Sequence, residues 1–463
     1  MRVRLATGAT IALLLALAAI FARGDREPAS GAPTSRMTTR ATFADRNGDG
    51  VLGRGPGEPL RSRTDLGSAR RPGATLATLA QITDAHVRDE ESPARAFVLD
   101  RLGGPFSSTF RPQEALSAQT LAATVESIDA LDPDAVLETG DLVDNAQSNE
   151  LTLALATLRG GRVDPDSGTR GYRGPQSATG SDPFLYRPDV DAPRHPGLLA
   201  AAQRPFHSRG LRAPWYPVPG NHDKLVQGEA APTPALRTLA TGPRVLVEPD
   251  RDIALPRNRR TFDPAVLDRL LARGLPGTTA IVPADPRRRL LSASKLAARL
   301  RRAPGSGAGG SGSRLDYAFS VGPKLRVIAL DLVDRARGAD ASVSPAQLAW
   351  LRGQLGAAGD RWIMVMTHQP LASSTAGRRV LDELDRSPRV VAALAGDTHT
   401  NKIRPRRNTS GGYWMITTAS LTDFPQQSRA LRLRETPGGG VVIDTWMLDS
   451  ARSRLADTAR SLA

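Results

Sequence analysis

The sequence contains no cysteine in its 463 residues. That absence excludes disulfide bonds, thiolate metal sites, cysteine nucleophiles and a lipid anchor of the lipoprotein type. Any metal ion must therefore be held by imidazole, carboxylate or amide groups. Histidine is also scarce, with six residues in the whole chain, so the positions of those six residues bear directly on where a metal site lies.

Aromatic residues make up only 4% of the chain, and acidic residues are outnumbered, because 62 Lys and Arg stand against 47 Asp and Glu. The formal net charge of +15 favours anionic partners such as phosphorylated substrates, nucleic acid or acidic envelope polymers. No dense basic run is interleaved with aromatic residues, so no specific nucleic-acid binding is predicted. The alternative is a compositional bias spread over a solvated surface.

The N-terminal segment carries an apolar run from about Leu5 to Phe21, preceded by Arg2 and Arg4. This pattern is typical of a secretory signal over residues 1–24, and it predicts an extracytoplasmic protein, secreted or membrane-anchored. The run is near the shortest length that spans a bilayer, so an uncleaved membrane anchor is the alternative. Residues 25–73 are rich in Gly, Pro, Ser, Thr and Arg, which predicts a flexible linker. No oligomeric state is predicted.

From residue 74 the chain alternates short apolar runs with helical patterns, which predicts a layered α/β domain. Strands are expected at 77–82, 134–138, 215–218, 317–321, 325–332, 362–367, 390–395, 413–418 and 440–448, and helices at 114–128, 149–158, 344–355 and 377–384. The domain is expected to span residues 74–449, with surface insertions at about 160–212 and 224–313 and a C-terminal tail or helix at 450–463.

Polar residues follow five of these apolar runs at the point where each run ends. In an open α/β sheet, ligands bind at the carboxyl ends of the strands. Four of the six histidines lie there, whereas His195 and His207 lie in the first insertion and are expected on the surface. The residues at the five ends are Asp84 and His86; Asp141, Asp144 and Asn145; Asn221, His222 and Asp223; His368; and Asp397, His399 and Asn401.

Carboxylates, imidazoles and an amide at one edge, with no sulfur available, suit hard to borderline divalent metals. These groups exceed what one ion needs. Two ions that share a carboxylate would use them all, and that arrangement supports in-line displacement at phosphorus.

The ordered series D-x-H, G-D-x-x-D-N, G-N-H-D, H and G-[HD]-x-H resembles the calcineurin-like metallophosphoesterase superfamily. The segments "FRPQEALS", "PWYPVPGNHD" and "TASLTDFPQQS" are similar to exported actinobacterial members of that superfamily. The resemblance covers roughly residues 74–449, and five short motifs in the right order are far more specific than any one of them. It implies a four-layer α/β/β/α sandwich of two mixed sheets packed together, with helices outside. Purple acid phosphatases place a Tyr in the second motif, and "GDLVDN" contains none.

The resemblance also implies roles for individual residues. Asp141 would bridge two cations, and a hydroxide between them would attack phosphorus. His222 would donate a proton to the leaving alkoxide or stabilise charge on the phosphoryl oxygen, and Asp144 would orient it. Asp223 is expected to stabilise the loop or to support a metal ligand without binding metal itself. The first cation would be held by Asp84, His86, Asp141 and His399, and the second by Asp141, Asn221, His368 and Asp397.

Asp397 departs from the family pattern, since most members have His at that position. We expect Asp397 to bind the second metal, to favour Mn²⁺ or Fe over Zn²⁺, with Mg²⁺ as a further candidate, and to make the bound water less acidic. The alternative is an Asp397 side chain that is turned away from a weak or empty second site.

The sequence therefore predicts a two-metal phosphoric ester hydrolase outside the cytoplasm, acting on monoesters or diesters of small molecules, lipids or nucleotides. The rival hypothesis is a catalytically impaired envelope-binding protein on the same scaffold, which would act through its basic surface.

Overall fold

The computed structural model describes residues 36–49, 51–95, 111–177, 185–250, 271, 274–337 and 339–463. The predicted signal or anchor of residues 1–24 lies outside these ranges. From Arg36 onward the chain forms one unit. Within the described ranges, no helix has the length and apolar character needed to cross a bilayer.

Seventeen strands are described. They are β1 Ala41–Ala44, β2 Gly53–Pro56, β3 Thr75–Ile82, β4 Ala135–Glu138, β5 Gly161–Val163, β6 Phe206–Ser208, β7 Trp215–Pro217, β8 Arg244–Pro249, β9 Gly277–Ile281, β10 Tyr317–Val321, β11 Leu325–Ala329, β12 Trp362–Met366, β13 Val390–Ala395, β14 Lys402–Arg406, β15 Tyr413–Thr417, β16 Gln427–Thr436 and β17 Gly440–Asp449.

Nine α-helices are described, together with short 3₁₀ turns. The α-helices are α1 Ser117–Leu131, α2 Ser148–Arg159, α3 Leu198–Ala202, α4 Asn221–Lys224, α5 Pro234–Thr241, α6 Ala293–Arg302, α7 Pro345–Gly356, α8 Thr375–Leu384 and α9 Arg454–Leu462. The 3₁₀ turns are Glu114–Leu116, Pro175–Ser177, Pro286–Arg288, Arg335–Arg337 and Leu371–Ser373.

Two large mixed sheets carry the domain. The five-stranded sheet has the order β17-β16-β3-β4-β7, in which β3, β4 and β7 are parallel and β16 is antiparallel to both of its neighbours. The six-stranded sheet has the order β10-β11-β12-β13-β15-β14, with parallel central strands and an antiparallel strand at each edge. The parallel strands matter for the site, because their carboxyl ends lie at one edge of each sheet.

The two sheets pack face to face through a continuous apolar core. Met364 and Met366 of β12 lie in the same buried cluster as Leu79 of β3, whereas Ile363 and Val365 lie in a second cluster with side chains of α7 and α8. This alternation places one face of β12 against the other sheet and one against helices. Side chains of α1 and α2 pack against the five-stranded sheet. The expected four-layer α/β/β/α sandwich is confirmed.

Each of the nine expected strands and four expected helices is present, with ends that differ by at most three residues. The expected linker, residues 25–73, is structured in part, because β1 and β2 form an antiparallel hairpin. The Thr38 backbone N–H also donates to the Met447 carbonyl of β17, and the Asp449 backbone N–H donates to the Arg36 carbonyl. The insertion at 224–313 contains α5, the antiparallel strand pair β8-β9 and α6, and it contributes to a separate buried apolar cluster that includes Leu236, Val245 and Leu290.

Candidate metal centre

The site forms where five strands end. β3, β4 and β7 of one sheet and β12 and β13 of the other each lead, within a few residues, into a loop or helix start that carries predicted ligands. Because these strands are parallel within each sheet, and the sheets pack face to face, the five ends meet at one edge of the sandwich. Donors from both sheets therefore surround the same space.

The backbone at this edge is held in an uncommon conformation. Positive φ angles in non-glycine residues cost of order 1–3 kcal/mol each and persist where the surrounding structure fixes them. Five of the seven predicted ligands adopt them: Asp84 (52°), His86 (43°), Asp141 (54°), Asp397 (67°) and His399 (52°). At the end of each extended strand, the left-handed backbone conformation turns these side chains toward the shared space.

The first group of donors consists of Asp84, His86 and His399, whose ligand atoms lie within 4.8 Å of one another. His399 Nε2 lies 3.3 Å from Asp84 Oδ1 and 3.3 Å from His86 Nε2. Asp141 Oδ2 lies 3.8 Å from His86 Nε2. These four side chains form one candidate cation site.

The second group is built around His368, which is fully buried. Its Nε2 lies 3.1 Å from Asp141 Oδ2, 3.0 Å from Asn221 Oδ1 and 3.5 Å from Asp397 Oδ1. Asn221 Nδ2 donates to the Gly228 carbonyl, so the amide oxygen is the atom that faces the group. Asp141 Oδ2 is thus shared by both groups.

Each imidazole in these groups is held from behind through Nδ1. His86 Nδ1 lies 3.1 Å from Asp144 Oδ1, and His368 Nδ1 donates to the Thr139 carbonyl at 2.8 Å. His399 Nδ1 contacts Asp423 Oδ2. A carbonyl or carboxylate oxygen accepts, so Nδ1 carries the proton and each Nε2 is free to bind a cation.

His222 lies beside the groups rather than within either. Its Nδ1 lies 3.1 Å from Asp144 Oδ1 and its backbone N–H donates to Asp141 Oδ1 at 2.8 Å. Burial lowers the pKa of His222, but Asp141 and Asp144 outweigh that effect and raise it to about 9. Burial raises the pKa of Asp144, but the Arg88 guanidinium and the two imidazoles hold it well below its usual range. Asp144 Oδ1 contacts the imidazole of His86 as well as that of His222, and the contact with His86 was not predicted from the sequence.

Two glycines are required by the close approach of these side chains. A Cβ on Gly220 would meet the Asp141 carboxylate, and one on Gly140, where φ is +96°, would meet the His368 ring. The G-D and G-N-H-D motifs therefore need glycine because a larger residue would clash with the Asp141 and His368 side chains, and the glycines themselves contribute no functional group.

Asp397 is placed with its carboxylate beside His368, and its backbone N–H donates to both oxygens of Asp84. Its side chain is 28% exposed. Burial, together with Asp84 and Asp141, raises the pKa of Asp397 against the opposing effect of His368. The side chain is not turned away from the second group.

The donor set fits two divalent cations. Three carboxylates, Asp84, Asp141 and Asp397, lie close together, and in the part of the chain that the structure describes their ion-pair partners are all histidines. Neither lysine nor arginine compensates them there. Clustered carboxylates with no lysine or arginine partner are costly to bury, and divalent cations would offset that cost.

Other residues at the strand ends support the loops. Asp223 accepts from the backbone N–H groups of Gly220 and Val143, as expected for a loop-stabilising residue. Asn145 donates to Asp144 and Glu150, and Asn401 accepts from Arg429. These side chains are not brought into the two donor groups.

Sequence reasoning missed Asp423, which holds His399, and the buried pair Arg88–Glu114 behind Asp144. Asp423 lies within "TASLTDFPQQS" and Glu114 within "FRPQEALS". Both segments carried part of the family resemblance, and that was the signal that could have found them.

No protein-family model matches the chain, and no curated protein sequence matches it. Among solved structures, the chain is similar to a dimetal phosphatase from Danio rerio, at 13% identity and a TM-score of 0.40, covering 81% of this chain and 100% of that one. It is similar to the sulfate thiohydrolase SoxB of Thermus thermophilus at 13% identity and a TM-score of 0.32, covering 85% of this chain and 60% of that one. It is also similar to the purple acid phosphatase PPD1 of yellow lupin, Lupinus luteus, at 13% identity and a TM-score of 0.31, covering 83% and 56%.

Proposed function

We propose that this protein is a two-metal phosphoric ester hydrolase of the calcineurin-like type that acts outside the cytoplasm. The observation that carries the proposal is the position of Asp141. Its Oδ2 lies 3.8 Å from His86 Nε2 in one donor group and 3.1 Å from His368 Nε2 in the other. A carboxylate shared in this way is what two neighbouring cations need to offset their mutual repulsion.

The first cation would be held by Asp84, His86, Asp141 and His399, and the second by Asp141, Asn221, His368 and Asp397. When bound, the two cations would activate a water molecule and neutralise charge on a phosphoryl group. The second site would offer two carboxylates, one amide oxygen and one imidazole, which is a harder donor set than the usual one with His in place of Asp397, so Mn²⁺ or Fe is favoured over Zn²⁺.

His222 is the residue that would handle the proton of the leaving group. Asp144 fixes its Nδ1, so Nε2 is the atom that can donate. The side chain is 21% exposed, in contrast to the fully buried His368. A substrate oxygen can therefore reach His222 while the ligand imidazole stays covered.

The substrate would be a phosphate mono- or diester of a small molecule, lipid or nucleotide, drawn in by the positive net charge. Specific nucleic-acid binding is not part of the proposal. Location outside the cytoplasm, by secretion or through an N-terminal anchor, is proposed from the sequence of residues 1–24 alone.

The test is hydrolysis of chromogenic phosphate mono- and diesters by protein loaded with Mn²⁺ or Fe. We expect His222→Ala to lower kcat about 10²- to 10⁴-fold and Asp141→Ala to abolish both activity and binding of the second equivalent of metal. His207→Ala is the matched control, since His207 is exposed on β6. Full activity in both site variants would show that the measured activity comes from a contaminant.

The rival function, envelope binding without catalysis, makes a different prediction. It requires no turnover of any ester with any metal, and salt-sensitive binding of the basic surface to an acidic envelope polymer. Turnover that depends on Asp141 excludes it.

A further inference from the structure

We propose that Glu114, Arg88 and Arg111, together called the Glu114 network, position the two imidazole ligands of the first cation and do not act on the second. The inference rests on the proposed two-metal function. It adds residues that are ligands of neither cation and that act through Asp144 and Asp423.

Glu114 is the centre of the network and is fully buried. Its carboxylate contacts Arg88 Nη1, accepts from Arg111 Nε at 3.0 Å, and lies 2.9 Å from Arg95 Nη2. The Arg111 backbone N–H also donates to Glu114 at 3.1 Å. One carboxylate thus holds three guanidinium groups, two of which lead to the site.

Arg88 leads to His86. Its Nη2 lies 3.5 Å from Asp144 Oδ1, the same oxygen that lies 3.1 Å from His86 Nδ1. Its Nε donates to the His86 backbone carbonyl at 3.3 Å. Arg88 therefore contacts both the main chain of His86 and the carboxylate that orients its ring.

Arg111 leads to His399. One edge of its guanidinium contacts Glu114 through Nε, and Nη1 contacts Asp423 Oδ1. The other oxygen of Asp423 accepts from His399 Nδ1. A planar guanidinium can contact two carboxylates in fixed directions, which a lysine ammonium cannot.

The second cation's imidazole is held in a different way. His368 Nδ1 donates to a backbone carbonyl, that of Thr139. Throughout the described ranges, Arg88 and Arg111 form no hydrogen bond or ion pair with Asn221, His368 or Asp397. A change in the Glu114 network should therefore weaken binding of the first cation selectively, whereas a general loss of stability would weaken binding of both cations.

The experiment separates the two cations by removing one imidazole at a time. Arg111→Gln is placed in a His368→Ala background, which leaves the first cation, and in a His399→Ala background, which leaves the second. Mn²⁺ binding to the metal-free full chain is measured by calorimetry, and Co²⁺ absorption reports the coordination. Arg111 has a side chain 34% exposed, so this variant is expected to fold. Arg352→Gln, which likewise removes the contact of a partly exposed arginine to a buried carboxylate, that of Glu383, is the matched control.

We expect Arg111→Gln to lower the affinity for the remaining equivalent of Mn²⁺ about 10- to 100-fold in the His368→Ala background. In the His399→Ala background the affinity should not change. Glu114→Gln should weaken binding of the first cation at least as much and with the same selectivity. If Glu114→Gln does not fold, the result for Arg111→Gln alone tests the inference. Equal weakening in both backgrounds, or none in either, overturns the inference. A parent chain that binds fewer than two equivalents overturns the two-metal function, and this inference with it.

Discussion

Gly220→Ala tests whether the geometry of the site, rather than its list of ligands, determines metal binding. The substitution adds one methyl group and removes no donor. That methyl carbon would lie 2.5 Å from the Asp141 backbone nitrogen and 2.7 Å from Asp141 Cγ. Restoring the 3.4 Å at which ordinary contact begins requires a shift of about 0.7 Å for Cγ and about 0.9 Å for the backbone nitrogen, and Asp141 Oδ1 is nearer still.

A shift of that size is several times larger than the roughly 0.2 Å tolerance of metal–ligand distances. Asp141 is the carboxylate shared by both donor groups, so both cations are affected. We expect metal affinity to fall about 10- to 100-fold, and kcat/KM to fall by about 10²-fold, as for a 1 Å misplacement of a reacting group.

The measurement is Mn²⁺ titration by calorimetry together with hydrolysis of a chromogenic ester. Gly353→Ala is the matched control, because Gly353 lies on α7 with no atom within 4 Å of its added Cβ. The control should bind metal like the parent and be slightly more stable, since alanine is favoured over glycine inside a helix by about 0.5–1 kcal/mol. If Gly220→Ala binds two equivalents at parental affinity, the placement of Gly220 against Asp141 is wrong.

Three further outcomes are expected. Asp397→His should keep two bound equivalents and shift preference from Mn²⁺ toward Zn²⁺ in competition assays; one equivalent in the parent and two in the variant would contradict a ligand role for Asp397. In metal-free protein, burial lowers the pKa of His399, but Asp84 and Asp423 outweigh burial and raise that pKa to about 10. Protonated His399 therefore stabilises the fold fully below about pH 6.5, and this stabilisation is lost as the pH rises to 10. The thermal midpoint should fall over that pH range, and His399→Asn should make the fall less steep. Lys224→Met should lower the free energy of unfolding in urea by about 3–5 kcal/mol, because Lys224 Nζ lies 2.6 Å from the buried Asp331 carboxylate, whereas Lys324→Met, in an exposed pair, should change nothing measurable.

The positions of the ligands could be predicted because they follow from a general rule. Asp84, Asp141 and His368 come directly after buried strands, and the ends of parallel strands meet. What the rule does not contain is the backbone conformation at those ends. The positive φ angles of Asp84 and His399 depend on contacts with the other loops, which local sequence does not encode.

The supporting residues could not be predicted for a related reason. Arg111 and Asp423 are separated by 312 positions and meet only when the two sheets pack. β16 was missed because arginines interrupt its apolar pattern, and one of them, Arg429, is buried with hydrogen bonds to Thr418 and Asn401. No periodicity predicts the contact between Arg111 and Asp423, whereas in β16 the alternation of Leu431 and Leu433 with Arg432 and Arg434 is a period-two signal that could have predicted a strand.

The donor groups draw on both sheets, and this has a consequence for the whole domain. His399 and His368 follow strands of the six-stranded sheet, whereas Asp84 and Asn221 follow strands of the five-stranded sheet. Each ion would therefore fasten the two halves of the sandwich together at the edge where their strands stop. The free energy of metal binding would then add to the free energy with which the two sheets pack, so tighter metal binding would raise the free energy of unfolding of the domain.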